Sequence, residues 1–103
     1  MSTKVARDIN GHPIQAVRPG TVQNVTMGTA SAATSNAVGA VSVVRVYSPD
    51  DIYLSFGATP TASTASTVMA AGAEYFRVEP SVDKIAVLQK GTSGGDVNIT
   101  EMT

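Results

Sequence analysis

The sequence has no cysteine, no tryptophan and one histidine among its 103 residues. Without cysteine no disulfide can cross-link the fold, and nothing ties the chain to an oxidising compartment. A lone histidine cannot supply the usual ligands of a zinc site. His12 stands between Gly11 and Pro13, a position that favours a turn residue over a catalytic base.

Charged residues are also scarce. They make up 15% of the chain, against roughly 25% in ordinary soluble domains. The net charge is -1, and no basic run offers the electrostatic footprint that nucleic acid requires. We therefore expect no nucleic-acid partner. A surface this poor in charge is typical of one that is partly covered in an assembly.

Long apolar segments are missing as well. No stretch approaches the roughly 20 apolar residues that span a bilayer, and residues 1–8 (MSTKVARD) lack the apolar core of a secretory signal. We expect a chain made in the cytoplasm of its host cell, with no membrane partner.

Short alternating segments dominate what is present. Residues 41–47 (VSVVRVY) are rich in β-branched side chains and end at a turn sequence, 48–51 (SPDD). Ile52, Leu54 and Phe56 then alternate with smaller or polar residues, which places them on one face of a strand. The pattern predicts that these two strands form a hairpin.

A second hairpin is predicted at residues 84–89 (KIAVLQ) and 96–100 (DVNIT), which flank a glycine-rich loop at 91–95. Its shared apolar face would consist of Ile85, Val87, Val97 and Ile99. The loop is not a phosphate cradle, because no Lys-Ser or Lys-Thr pair follows its glycines. Cross-strand aliphatic pairs of this kind stabilise a sheet.

The remaining segments complete an all-β pattern. A first strand is predicted at 21–29, an exposed loop at 58–67, and two short strands at 68–69 and 74–78, while 30–36 is either a loop or a weak strand. Strands at intervals of roughly 8–12 residues without an amphipathic helix indicate a β-sandwich or small barrel. We predict a single small β-sandwich domain at 21–103.

Residues 1–20 read differently and are predicted to form an extended N-terminal arm with a bend at Asn10-Gly11. The arm carries four spaced aliphatic side chains: Val5, Ile9, Ile14 and Val17. Ordering its backbone costs roughly 1–2 kcal/mol per residue, whereas burying four such side chains returns only about 1.5–3 kcal/mol each. We predict that these four residues dock on a neighbouring subunit by strand addition. The alternative is a disordered terminus without a role.

Few residues could support catalysis or metal binding. Four of the five aspartates, at positions 50, 51, 83 and 96, fall at turns, where they commonly cap the backbone; calcium binding is the alternative, although no EF-hand loop is present. No nucleophile, base and orienting group can be assembled, so we expect no catalytic residue, cofactor or enzymatic activity. Tyr47, Tyr53 and Tyr75 would form a carbohydrate-binding face if they shared one side, or otherwise line the rim of the core.

Several segments resemble a known type of protein. These are the bend at 10–15 (NGHPIQ), the segment 51–57 (DIYLSFG) with the Thr/Ser/Ala loop after it, and 72–78 (GAEYFRV) leading to 83–88 (DKIAVL). In these segments the chain resembles the small head decoration, or cement, proteins of tailed bacteriophages. The resemblance implies a β-sandwich or jelly-roll-like fold, a homodimer or homotrimer, the major capsid protein as partner, and a place on the capsid exterior of the virion.

The function expected from this resemblance is to decorate and stabilise a bacteriophage capsid by bridging neighbouring capsid subunits. Simultaneous weak contacts to several subunits would prolong attachment through effective concentration. The alternative is a carbohydrate- or receptor-binding module of a phage head or tail fibre that uses the 58–67 loop and the tyrosines.

Overall fold

The computed structural model describes residues 5–7, 13–15, 18–92 and 94–103, and for 5–7 and 13–15 it describes the backbone. Its ten strands are β1 (Val5–Arg7), β2 (Pro13–Gln15), β3 (Pro19–Met27), β4 (Ala32–Ala33), β5 (Val43–Ser48), β6 (Ile52–Gly57), β7 (Thr67–Met69), β8 (Gly72–Arg77), β9 (Lys84–Gln89) and β10 (Gly95–Met102). No helix occurs in this part of the chain. The all-β prediction is confirmed.

Eight of the strands form two antiparallel four-stranded sheets. Sheet 1 has the order β3-β10-β5-β8 and sheet 2 the order β4-β9-β6-β7, while β1 and β2 form a separate two-stranded hairpin. The predicted β-sandwich is confirmed at this level, and its jelly-roll form stays a prediction. Within the described residues no helix is long and apolar enough to cross a membrane.

The connections are sorted by length between the two ends of the sandwich. Every pairing is antiparallel, so successive connections alternate between the two ends of the sandwich. The short-loop end carries the four brief connections, 28–31, 49–51, 70–71 and 90–94. The long-loop end carries the three longer ones, 34–42, 58–66 and 78–83. The chain enters and leaves the sandwich at the long-loop end. There Arg18 and Thr103 exchange two backbone hydrogen bonds of 2.8 Å.

The core lies between the sheets and consists mainly of medium-sized aliphatic side chains. Its members include Val25, Met27, Val44, Val46, Val97 and Ile99 from sheet 1 and Ile52, Leu54, Met69, Ile85 and Val87 from sheet 2. Phe56 from sheet 2 and Phe76 from sheet 1 are half-buried, with ring centroids 5.4 Å apart and planes tilted by 49°. A tilted pair of this kind is favourable and joins the two sheets beside the aliphatic core.

The predicted hairpin of 41–47 with 52–57 is wrong, because β5 belongs to sheet 1 and β6 to sheet 2. Ser48 is fully buried at the end of β5, and its Oγ donates a hydrogen bond to the carbonyl oxygen of Asp50. This contact turns the chain across the core instead of back along the same sheet. The apolar side chains of β5 and β6 therefore face each other across the sandwich.

The predicted final hairpin is wrong for the same reason. β9 pairs with β6 and β4, whereas β10 pairs with β3 and β5. The glycines that end the loop adopt positive φ, 66° at Gly94 and 110° at Gly95, a region that favours glycine. All four side chains assigned to the hairpin's apolar face are buried in the common core, but they meet across the sandwich and not along one sheet.

Two loop predictions also change. The undecided segment 30–36 contains the two-residue strand β4, which pairs with β9. The segment 58–67, predicted to be an exposed loop, ends in the first residue of β7 and contains Ala62, which is buried and donates its N–H to Ser31 Oγ over 2.9 Å. The first strand, predicted at 21–29, begins at Pro19 and so includes two residues of the predicted arm.

Candidate functional site

The N-terminal hairpin holds the interface residues that the sequence predicts. Its strands pair Val5 with Gln15, Ala6 with Ile14 and Arg7 with Pro13. Val5 and Ile14 therefore lie on paired strands but not opposite each other. Ile9 and Val17, together with the predicted bend at 10–11 and His12, lie outside the described residues.

This hairpin is a separate element of the fold. In the described part of the chain, no strand pairing joins β1 or β2 to sheet 1 or sheet 2. An isolated two-stranded hairpin is at best marginally stable in water. Any stabilisation that β1 and β2 receive beyond their mutual pairing therefore comes from contacts other than the strand ladders of the two sheets.

A second candidate surface lies on the outer side of sheet 1. Tyr47 of β5 and Tyr75 of β8 point away from the core and are 42% and 59% exposed. Tyr75 pairs with Arg45, and Tyr47 pairs with Ala73, so the two tyrosines are diagonal neighbours on adjacent strands. Diagonal neighbours lie roughly 7–8 Å apart, so one ligand can contact both rings.

Arg45 lies between the two tyrosines. Its guanidinium carbon is 5.9 Å from the ring centroid of Tyr47, which is a cation–π distance. The positions around Arg45 on this side of the sheet are occupied by Tyr47, Val43, Thr100 and Tyr75. Because none of these neighbours is acidic, the guanidinium has no adjacent carboxylate to neutralise it.

A row of polar side chains borders the aromatic pair. Thr100 Oγ1 donates to Asn98 Oδ1 over 2.7 Å, and Asn98 Nδ2 donates to Asn24 Oδ1 over 3.2 Å. Asn98 pairs directly with Tyr47. We call the surface formed by Arg45, Tyr47, Tyr75, Asn98 and Thr100 the tyrosine face; within it Thr100 is buried and orients the Asn98 amide beside the exposed rings.

The third tyrosine is elsewhere. Tyr53 lies on β6 in sheet 2, where it pairs with Leu88 and Val68. The condition that all three tyrosines share one face is therefore not met, although two of them do. Alternation along β5 already places Arg45 and Tyr47 on one side; the arrival of Tyr75 depends on the register of β8, which the sequence does not reveal.

The turn aspartates are separated and mostly bind backbone. At the short-loop end Asp51 Oδ1 accepts the N–H of Ala71 over 2.9 Å, and at the long-loop end Asp83 Oδ2 accepts that of Glu79 over 2.9 Å. Asp96 instead accepts the hydroxyl of Thr26 over 2.7 Å. Among the described residues no group of three or more His, Cys, Asp or Glu side chains is arranged to hold a metal ion.

Glu101 is a buried carboxylate that sequence reasoning missed. It belongs to the inward row of β10, and its Oε1 accepts the N–H of Gly39 over 3.2 Å. It thus holds the long 34–42 connection against the end of the core. An open depression of about 260 Å³ is lined by Arg77, Val78, Glu79 and Asp83 and does not include Glu101.

Comparisons with protein-family models, curated proteins and solved structures find no match for this chain. The N-terminal hairpin and the tyrosine face are therefore the two candidate functional surfaces of the described residues.

Proposed function

We propose that the protein is a non-enzymatic virion structural protein that decorates and stabilises a bacteriophage capsid by bridging neighbouring capsid subunits. Its partners are the major capsid protein and further copies of itself, as a homodimer or homotrimer, on the capsid exterior. The observation that carries the proposal is the N-terminal hairpin, which pairs with itself and joins neither sheet of the sandwich among the described residues.

The hairpin and the sandwich give one chain two separate means of contact. Arg18, the third residue after the end of β2, exchanges two backbone hydrogen bonds with Thr103 of the sandwich. The strands of the hairpin can add to a sheet edge of a neighbour, where main-chain hydrogen bonds supply affinity. Two modest contacts carried by one chain reinforce each other through effective concentration.

We also propose that the sandwich is a jelly roll. The support is the strand order. Each position in sheet 1 and the same position in sheet 2 hold two strands that are consecutive in the chain: β3 and β4, β10 and β9, β5 and β6, and β8 and β7. Double-sheet jelly rolls of eight strands occur in viral capsid and lectin domains. The analogy is one of fold, and function must come from the surfaces.

The test is binding to capsids of the phage whose genome encodes the chain. The full chain is compared with a variant that lacks residues 1–17 and with the double variant Val5→Ser, Ile14→Ser. Circular dichroism and thermal melting establish that each variant retains its β-sandwich. The matched control is Val68→Ser, because Val68 is 50% exposed on the edge strand of sheet 2.

We expect the deletion and the double variant to lower capsid occupancy at least tenfold, and the control to leave it unchanged. Mass spectrometry of purified particles should find the full chain in the virion. Equal occupancy by all four proteins, or absence of the chain from the virion, would contradict the proposal.

A further inference from the structure

We infer that the tyrosine face is a binding site for an acidic saccharide, a chain of sugars that carry carboxylate groups. This inference goes beyond capsid attachment, because it concerns the outer side of sheet 1 and not the N-terminal hairpin. Its test does not depend on whether the proposed function is correct.

The charge pattern selects an anionic ligand. No acidic residue occupies a position that flanks Arg45; Asp96, on the same side of the sheet, lies beyond Asn98 along β10 and accepts a hydrogen bond from Thr26. Arg77 lies on the same outward row of β8 as Tyr75, but it shares a depression with Glu79 and Asp83, so the recognition of an anion is assigned to Arg45. A guanidinium recognises a carboxylate by two parallel hydrogen bonds, and a neighbouring ring that holds it in one orientation reduces the entropy lost on binding. The contact between Arg45 and the Tyr47 ring provides that orientation.

The rings and amides select a sugar over a simple anion. Tyr47 and Tyr75 expose amphipathic rings at adjacent positions, which offer apolar surface for the C–H side of a sugar and hydroxyls for hydrogen bonding. Asn98, half-buried beside them, is held in one orientation by hydrogen bonds with Thr100 and Asn24, so the remaining N–H and lone pair of its amide point in fixed directions for sugar hydroxyls; Thr100 is 6% exposed and acts only as a support for Asn98. From β8 to β10 the face spans two strand spacings, about 10 Å, which suits an extended ligand.

The same features disfavour a second copy of the chain as occupant. In a twofold arrangement that stacked two tyrosine faces with Arg45 at the axis, the two copies of Arg45 would face each other, since residues at the axis meet their own equivalents. Like charges brought together across an interface are repulsive. An acidic peptide would satisfy the arginines but would not use the rings and the amide row together.

The experiment titrates the full chain with oligogalacturonate, a chain of carboxylated sugars, and follows binding by calorimetry and by amide chemical shifts. Two comparison ligands separate the contributions: the methyl-esterified form of the same oligosaccharide, which lacks the charges, and a polyglutamate peptide of equal charge. The variants are Arg45→Gln and Tyr75→Ala. Their matched controls are Lys90→Gln, an exposed cation near the short-loop end, and Tyr53→Ala on sheet 2.

We expect Arg45→Gln and Tyr75→Ala each to weaken oligogalacturonate binding at least tenfold, with shifts confined to β3, β10, β5 and β8. The controls should bind as the unaltered chain does, and the esterified and peptide ligands at least tenfold more weakly. The inference is overturned if polyglutamate binds equally well, if Lys90→Gln weakens binding as much as Arg45→Gln, or if oligogalacturonate produces no shifts on sheet 1.

Discussion

Arg45 and Tyr75 occupy directly opposite positions on β5 and β8, and the guanidinium of Arg45 lies 5.9 Å from the ring centroid of Tyr47. An exposed cation–π contact contributes about 0.5–1 kcal/mol. We therefore expect Arg45→Gln to lower the free energy of unfolding by no more than about 1 kcal/mol. Chemical denaturation measures this, and a loss several times larger would mean that Arg45 is a structural residue of the sheet.

Ser81 has a φ of 61°, in the left-handed region that costs a residue with a Cβ roughly 1–2 kcal/mol. Its backbone N–H donates to the carbonyl oxygen of Gly39 over 2.9 Å, a bond that any residue except proline can make. We expect Ser81→Gly to raise the free energy of unfolding by up to about 1 kcal/mol, since glycine removes the strain but gains unfolded-state entropy. Ser81→Ala serves as control and should bring no gain; equal stability of the two variants would argue against strain at this position.

Gly39 and Glu101 are coupled through space. A Cβ on Gly39 would lie 2.9 Å from Glu101 Oε1, closer than such atoms normally approach, and the same oxygen accepts the Gly39 N–H. We expect Gly39→Ala and Glu101→Ala each to destabilise the fold by about 1–2 kcal/mol. In the double variant the losses should not add, because removing the carboxylate removes the clash. Strict additivity in the denaturation data would show that the two residues act separately.

The assignment of β9 and β10 to different sheets can be tested by cross-linking. Asn24 and Asn98 are directly opposite on β3 and β10, at a separation that suits a disulfide. We expect Asn24→Cys, Asn98→Cys to form one on oxidation, detected by gel mobility and mass spectrometry. Leu88→Cys, Asp96→Cys, which the predicted β9–β10 hairpin would place directly opposite each other, should remain reduced because Leu88 and Asp96 lie on different sheets, about 10 Å apart. The opposite outcome would favour the hairpin.

The sequence revealed the strands better than their partners. Alternation placed Ile52, Leu54 and Ile99 on apolar faces, and each is buried. Period-two alternation marks the apolar side of a strand but says nothing about the sheet to which it belongs. At Ser48 the deciding feature is a buried hydroxyl that turns the chain across the core, and the sequence SPDD fits a hairpin turn equally well.

The candidate surfaces were predictable to different degrees. The arm was predicted from its spaced aliphatic residues and stays a prediction; within it the structure describes two paired strands, in which Val5 lies opposite Gln15 and Ile14 opposite Ala6. The tyrosine face could be predicted only in part. Arg45 and Tyr47 lie on one strand, whereas Tyr75 lies opposite Arg45 because of the register between β5 and β8, which long-range pairing determines. For strand β4 the sequence did not decide between a loop and a strand, because Ala32 and Ala33 carry no apolar pattern of their own.

The central claim is that the N-terminal hairpin is completed by another molecule. Amide hydrogen exchange tests it most directly, by comparing the strand residues 5–7 and 14–15 in the isolated chain and in the chain bound to capsids. We expect these amides to exchange rapidly in the isolated protein and to become strongly protected on the capsid, while β5 and β10 are protected in both. Strong protection of the hairpin amides in an isolated monomer, unchanged by capsids, would contradict the account.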